Sequence, residues 1–179
     1  MKLPGAFVDQ AHDDGLIFSD QRYNCVFPCA DDSGVFKVGT GDKPFRQSLG
    51  KGGNPFVIPG TDDKVYITDS PLEALSIKLL RPDSTVLATG DFMQAEKLKP
   101  YLDQKEILLA QGQDRNGNAM AQYLREHFPK AKRIKPNMGH SWSECRLLQI
   151  EEDKAKRLHA QPNRLDAATE ISRSSGWSR

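Results

Sequence analysis

Lys64-Val65-Tyr66-Ile67-Thr68-Asp69-Ser70-Pro71-Leu72-Glu73-Ala74-Leu75-Ser76 is the stretch that decides the fold. Its first half is β-branched and aromatic, the composition of a buried strand. Its second half changes period. Pro71 suits the first position of a helix, Asp69 or Ser70 suits the cap before it, and Leu72, Leu75 and Leu79 repeat at helical spacing. A strand that delivers polar residues straight into a helix is the building unit of parallel α/β sheets.

Towards the C-terminus the unit repeats. Residues 85–89 read as a strand stopped by Gly90, and 95–102 as a helix that Pro100 must bend or end. Residues 106–110 read as a third strand, about 118–128 as a helix, and 131–135 as a fourth strand. The alternation predicts an α/β fold over 63–150, a mostly parallel sheet flanked by helices. Its sites are expected beyond the carboxyl ends of the strands.

Towards the N-terminus the texture differs. In residues 1–62 short apolar runs (16–18, 25–27, 35–38 and 56–58) are separated by turn residues, and no Glu occurs. Asp31-Asp32-Ser33-Gly34 reads as a hairpin turn, and 48–54 as a glycine-rich loop. This predicts a small antiparallel β unit. Residues 151–179 read as a charged helical extension, running from Glu151 to about Ala160, followed by a tail whose last ten residues, Glu170 to Arg179, read as disordered or partner-dependent.

A chain of 179 residues, 37% hydrophobic and 27% charged, can bury a core without disulfides or metal. No apolar run is long enough for a membrane span, and Met1-Lys2-Leu3-Pro4-Gly5 lacks the pattern of a secretory signal. Three cysteines form an odd, sparse set suited to a reducing compartment, so a cytoplasmic location is expected. The net charge of +1 carries no bulk signature of nucleic-acid binding. That charge is uneven: −2 over 1–62, +2 over 63–150 and +1 over 151–179.

Three loops follow predicted strands and would converge at one sheet edge. They hold Asp69; Asp114 with Arg115, Asn116 and Gly117; and His140-Ser141-Trp142-Ser143-Glu144. Carboxylates gathered this way are what Mg²⁺ requires, and two such ions can stabilise both oxygens of a phosphoryl displacement. The structural alternatives are a helix cap for Asp69, a turn former for Asp114 and a solvated helix residue for Glu73. Arg133 and Lys135 alternate onto one strand face and, with Arg115 and Lys51, could grip a phosphate backbone. Charge protecting an edge strand explains the same pattern.

Other patterns fail on their chemistry. Cys25-x-x-x-Cys29 has no second Cys/His pair at zinc spacing, so no zinc is expected. Cys145 and His140 are close in sequence but have no orienting partner for a nucleophile. Gly50-Lys51-Gly52-Gly53 lacks both the Lys-Ser/Thr and the preceding strand of a P-loop.

The stretch 65–76 resembles the first motif of Toprim domains, found in bacterial primases, topoisomerases and related nucleases. Leu108-Leu109-Ala110-Gln111-Gly112-Gln113-Asp114-Arg115-Asn116-Gly117 resembles the second motif, an apolar strand ending in Asp-x-Asp with a Gly three residues on. Gly139-His140-Ser141-Trp142-Ser143-Glu144 resembles the closing segment of mobile-element members. Arg22-Tyr23-Asn24-Cys25-Val26-Phe27 and the segment 45–56 resemble the β unit preceding Toprim in plasmid mobilisation and primase-like proteins. The likeness covers about 16–150.

The resemblance implies Mg²⁺-dependent phosphodiester chemistry and DNA, or a replication or mobilisation protein, as partner. It places the catalytic Glu on Asp69, the metal-binding Asp pair on Gly112 and Asp114, and the closing Asp on Ser141. Three of four carboxylates are therefore shortened or missing. An Asp at 69 retracts its oxygen by about 1 Å, a displacement that can cost roughly 10²-fold. Glu73, one turn on, is the residue available to compensate as a metal ligand. The departures argue against a retained Mg²⁺, and favour a nucleic-acid-associated domain with a degenerate metal site that binds rather than catalyses. The alternatives are an active Mg²⁺-dependent nuclease or nucleotidyl transferase and a non-catalytic interaction scaffold.

Overall fold

The computed structural model describes residues 3–42, 44–50, 53–90 and 94–160, with side chains described to residue 157. The elements in chain order are α1 (Gly5–Asp13), β1 (Phe18–Ser19), β2 (Cys25–Pro28), β3 (Gly34–Val38), β4 (Arg46–Gly50), β5 (Phe56–Ile58), β6 (Lys64–Thr68), α2 (Pro71–Leu80) and β7 (Thr85–Ala88). They continue with α3 (Ala95–Leu98), a 3₁₀ turn (Lys99–Tyr101), β8 (Glu106–Leu109), α4 (Arg115–His127), β9 (Lys132–Arg133) and α5 (Trp142–Ala160).

Two sheets result. The first is an antiparallel meander in the order β1-β2-β3-β4. The second has the order β5-β7-β6-β8-β9; β6, β7, β8 and β9 are parallel, and β5 runs antiparallel on the β7 edge. This is the mixed α/β architecture expected for 63–150. One strand lies elsewhere than the sequence suggests: residues 56–58, read with the N-terminal unit, pair with β7 in the second sheet. An apolar triplet carries no mark of which sheet it joins, and only the pairing decides.

The central strands are apolar at every inner position because both faces of the second sheet are covered. On one face Val65, Ile67, Leu87 and Leu109 pack with Leu98 of α3 and with Ala121 and Leu124 of α4. On the other, Tyr66, Val86, Ala88, Leu108 and Ala110 join Ala74, Leu75 and Ile77 of α2, Trp142 of α5, and Phe27 and Phe36 of the first sheet. The rings of Phe27 and Phe56 meet edge to face, with centroids 5.6 Å apart. The two sheets also touch at Gly90, held at φ 58°, where a Cβ would overlap the Phe36 ring. Glycine is required there on both counts.

Helix starts differ from the sequence reading in informative ways. Ser70, not Asp69, caps α2, its hydroxyl accepting the Glu73 N–H at 3.3 Å. α4 begins at Arg115 rather than near 118, because Asp114 is a true N-cap whose carboxylate accepts the Gly117 N–H at 2.7 Å. α1 was not anticipated; its N-cap is Pro4, with no side-chain cap to announce it. β9 is only two residues long, so Lys135 lies outside the strand and does not share a strand face with Arg133. No helix among the described residues is long and apolar enough to cross a membrane.

Candidate functional site

Asp69, Gly112 and Asp114 meet beyond the carboxyl ends of the adjacent parallel strands β6 and β8. A Cβ on Gly112 would lie 3.7 Å from Asp69 Oδ2 and 3.8 Å from Asp114 Oδ1. The strand register makes this so: β6 and β8 pair through Ile67 with Leu109, and the Ala110 N–H donates to the Ile67 carbonyl at 2.7 Å. The next residues of each strand therefore leave the sheet side by side. Asp69 Oδ1 accepts the Thr68 hydroxyl at 3.1 Å, and Asp114 Oδ1 is committed to its cap.

Arg133 fixes the loop that carries Gly112. Its guanidinium donates to the Leu109 carbonyl at 3.3 Å, the Gln111 side-chain oxygen at 3.1 Å and the Gly112 carbonyl at 2.7 Å. Burial lowers the pKa of this guanidinium, and the charge of Asp69 opposes the shift. Arg133 thus reads first as a clamp on backbone and only second as a surface cation. Gln111 is fully buried, and its amide nitrogen has no partner among the described residues.

Glu73 does not face the two aspartates. Its Oε2 accepts the Trp142 N–H at 2.6 Å and the Ser143 N–H at 3.3 Å, and its Oε1 accepts the Ser143 hydroxyl at 2.5 Å. The carboxylate sits at the positive end of α5, where a helix favours an anion. Both of its oxygens are engaged by the start of α5, so it is not the freely solvated helix residue that its sequence position allows. Ser141 is likewise engaged: its hydroxyl accepts the Glu144 N–H at 3.1 Å while Glu144 accepts the His140 N–H at 2.7 Å. Ser141-Trp142-Ser143-Glu144 is a variant of the capping box in which Glu144 reaches back one residue beyond the cap, and the Trp142 indole donates to the Ala110 carbonyl at 2.8 Å.

The aspartates line a cleft of about 360 Å³ between the two sheets. Its near wall is Asp69, Ser70, Pro71, Asp114, Asn116 and Gly117, at the N-termini of α2 and α4; its far wall is Phe36, Lys37, Val38, Arg46, Gln47 and Ser48 of β3 and β4. The Lys37 ammonium is paired with Asp20. Arg46 is exposed and makes no side-chain hydrogen bond or ion pair among the described residues. Sequence reading missed both far-wall cations. The available signal was register: Val38 pairs with Arg46 and Phe36 with Ser48, so Arg46 shares the inward face of the apolar residues.

Arg115 and Lys135 are exposed. Arg115 stands in the first turn of α4, where the helix dipole disfavours a cation, so it does not serve the helix. Lys51 and residues 161–179 lie outside the described residues. Among the described residues no group of three or more His, Cys, Asp or Glu side chains could hold a metal ion together.

The architecture is a primase-type Toprim fold. A DNA primase domain from Pseudomonas aeruginosa superposes with a TM-score of 0.51 at 15% identity, covering 89% of this chain and 60% of that one. The chain therefore spans less than two thirds of that domain. The primase fragment of the bacteriophage T7 primase-helicase protein gives a TM-score of 0.51 at 14% identity, covering 83% of this chain and 68% of that one. The T7 gp4 primase domains, in a complex with lagging-strand DNA polymerase, an RNA/DNA hybrid and dTTP, give 0.52 at 14% identity, with coverage of 83% and 84%. By sequence, no family model and no curated protein matches.

Proposed function

We propose that this chain is a primase-like domain of DNA replication or mobilisation that binds a nucleic-acid strand in the cleft between its sheets and retains no resident magnesium. The observation that carries the reading is the bare Gly112 beside Asp69 and Asp114, two aspartates that line a cleft whose far wall holds Arg46. The neighbours' primase fold supports a nucleic-acid setting.

The donor set does not fit Mg²⁺. Two carboxylates converge, and one oxygen of each is already engaged, by the Thr68 hydroxyl and the Gly117 N–H. Glu73 and Ser141, the other candidates, are turned to α5. Two carboxylates hold Mg²⁺ where substrate phosphates complete its shell, so with these donors alone the ion is not expected to be resident. Arg46 stands on the far wall of the cleft, and the exposed Arg115 lies at the start of α4, between the near-wall residues Asp114 and Asn116 in sequence. Both arginines suit phosphate contacts, which position a strand without reading its bases.

Titration of fluorescent single- and double-stranded oligonucleotides at several salt concentrations tests this. Binding should weaken steeply with salt, be the same in Mg²⁺ and in EDTA, and fall in Arg46→Ala with a shallower salt slope. Calorimetric Mg²⁺ or Mn²⁺ binding that is lost in Asp114→Ala would overturn the metal-free reading.

A further inference from the structure

The first sheet presents a feature that the cleft chemistry does not use. Tyr23, between β1 and β2, is 82% exposed and belongs to neither apolar core. Its backbone is left-handed, with φ 60°, a conformation that bulky L residues rarely adopt.

The loop is nonetheless tightly determined. Asp20 accepts the N–H groups of Arg22 and Asn24 at 2.8 and 2.9 Å and the Asn24 side-chain amide at 3.1 and 3.0 Å, and it pairs with Lys37. These partners, Asn24 foremost, hold the Asp20 carboxyl well below the usual carboxylate range. The Tyr23 N–H donates to the Asp20 carbonyl at 2.9 Å, and the Thr40 hydroxyl donates to the Tyr23 carbonyl at 2.7 Å. Both peptide groups of an exposed, strained aromatic residue are thus fixed. Strain of this kind persists only where the surroundings over-determine it.

A second exposed aromatic belongs to the same end of the sheet. Phe45 is 41% exposed, and a Cβ on Gly39 would fall 2.5 Å from its ring, so glycine makes its seat. The Gly39 N–H donates to the Phe45 carbonyl at 2.9 Å. Phe45 immediately precedes Arg46, whose partner Val38 also pairs with Cys25, two residues after Tyr23. The two rings therefore belong to the strand ends that bring Arg46 and Val38 to the cleft.

Resting on the reading of the cleft as a strand-binding groove, we propose that Tyr23 and Phe45 form a stacking platform for unpaired nucleobases at its rim. Rings held by a fixed backbone offer flat apolar area at little cost in ordering. Single strands use exposed aromatic rings for their bases and arginine side chains for their phosphates, without sequence preference. An aromatic anchor for a protein partner would instead be expected within an apolar surround. Here the neighbours Arg22, Thr40 and Asp42 are polar and exposed.

The test compares oligo-dT with an abasic strand of equal length by fluorescence anisotropy on the full chain. Tyr23→Asn is the central variant, because Asn tolerates the left-handed backbone and removes only the ring. Tyr23→Asn and Phe45→Ala should each weaken oligo-dT binding about tenfold, within the usual range for a stacked base, with the salt slope unchanged. Tyr23→Trp should retain affinity and show emission quenched by added strand. Leu49→Ala, which removes a side chain 41% exposed away from this end of the sheet, should change nothing. Abasic strands should bind wild type and Tyr23→Asn alike. Wild-type affinity for oligo-dT in Tyr23→Asn would overturn the platform and leave the groove standing, as would an equal loss on the abasic strand. No binding of any strand by the wild type would overturn both.

Discussion

Gly112 lies outside the left-handed region, and a Cβ there meets nothing closer than the two carboxylate oxygens at 3.7 and 3.8 Å. The backbone therefore does not demand glycine; what the residue withholds is a third carboxylate. Gly112→Asp should fold with a Tm near that of the wild type and acquire Mn²⁺ binding measurable by calorimetry, abolished again when Asp114→Ala is added. Unaltered heats in the single variant would mean that the two aspartates are not placed to share an ion. The convergence at Gly112 was legible in the sequence, because strand ends of a parallel sheet must meet at one edge. The second duty of Asp114 was less so: Asp-Arg-Asn-Gly reads as a turn, and only the Gly117 hydrogen bond reveals a cap.

At the scale of elements, α5 is attached through its N-terminus. Glu73 takes two of its first N–H groups and a hydroxyl, and the Trp142 indole reaches the end of β8. Removing the carboxylate strands those donors, at about 1–3 kcal/mol for a buried unsatisfied group. Glu73→Ala should lower the urea midpoint accordingly and speed amide exchange over Trp142–Cys145, with the central strands little changed. Uniform acceleration across the sheet would refute a local attachment. The sequence contains this information in Ser141-Trp142-Ser143-Glu144, the pattern of a capping box. Reading that segment as a closing loop hid it, and no linear pattern could supply Glu73 from 69 residues away. Other elements were plain where one strand or helix carries its own period, as in β6 and α2. They were obscure in α1, which has no side-chain cap, and in β4, whose end overlaps the stretch read as a glycine-rich loop.

For the molecule as a whole, the contact between the sheets runs through Phe36, 6% exposed and seated on Gly90. Phe36→Ala should cost about 3–5 kcal/mol, the usual range for emptying a buried ring site. If the two sheets form one cooperative unit, urea unfolding followed by far-ultraviolet circular dichroism and by tyrosine fluorescence should stay coincident in wild type and separate only in this variant. Separate transitions in the wild type would show the sheets to be independently stable. The cleft owes its two walls to this contact, which explains why its far-wall cations were the least legible part of the site. Arg46 earns its place only when one sheet is laid on another, a relation that neither strand pattern contains.

The placement of β5 also bears on synthesis. The ribosome delivers β1 to β4 before the second sheet, but the face bearing Phe27 and Phe36 packs against Phe56, Val86 and Ala88. β5 has no partner until β7 exists. Until residue 88 has left the exit tunnel, the nascent chain therefore carries an uncovered aromatic face, the kind of surface that chaperones engage. The glutamate-free first sheet is thus made before the strands that complete its core.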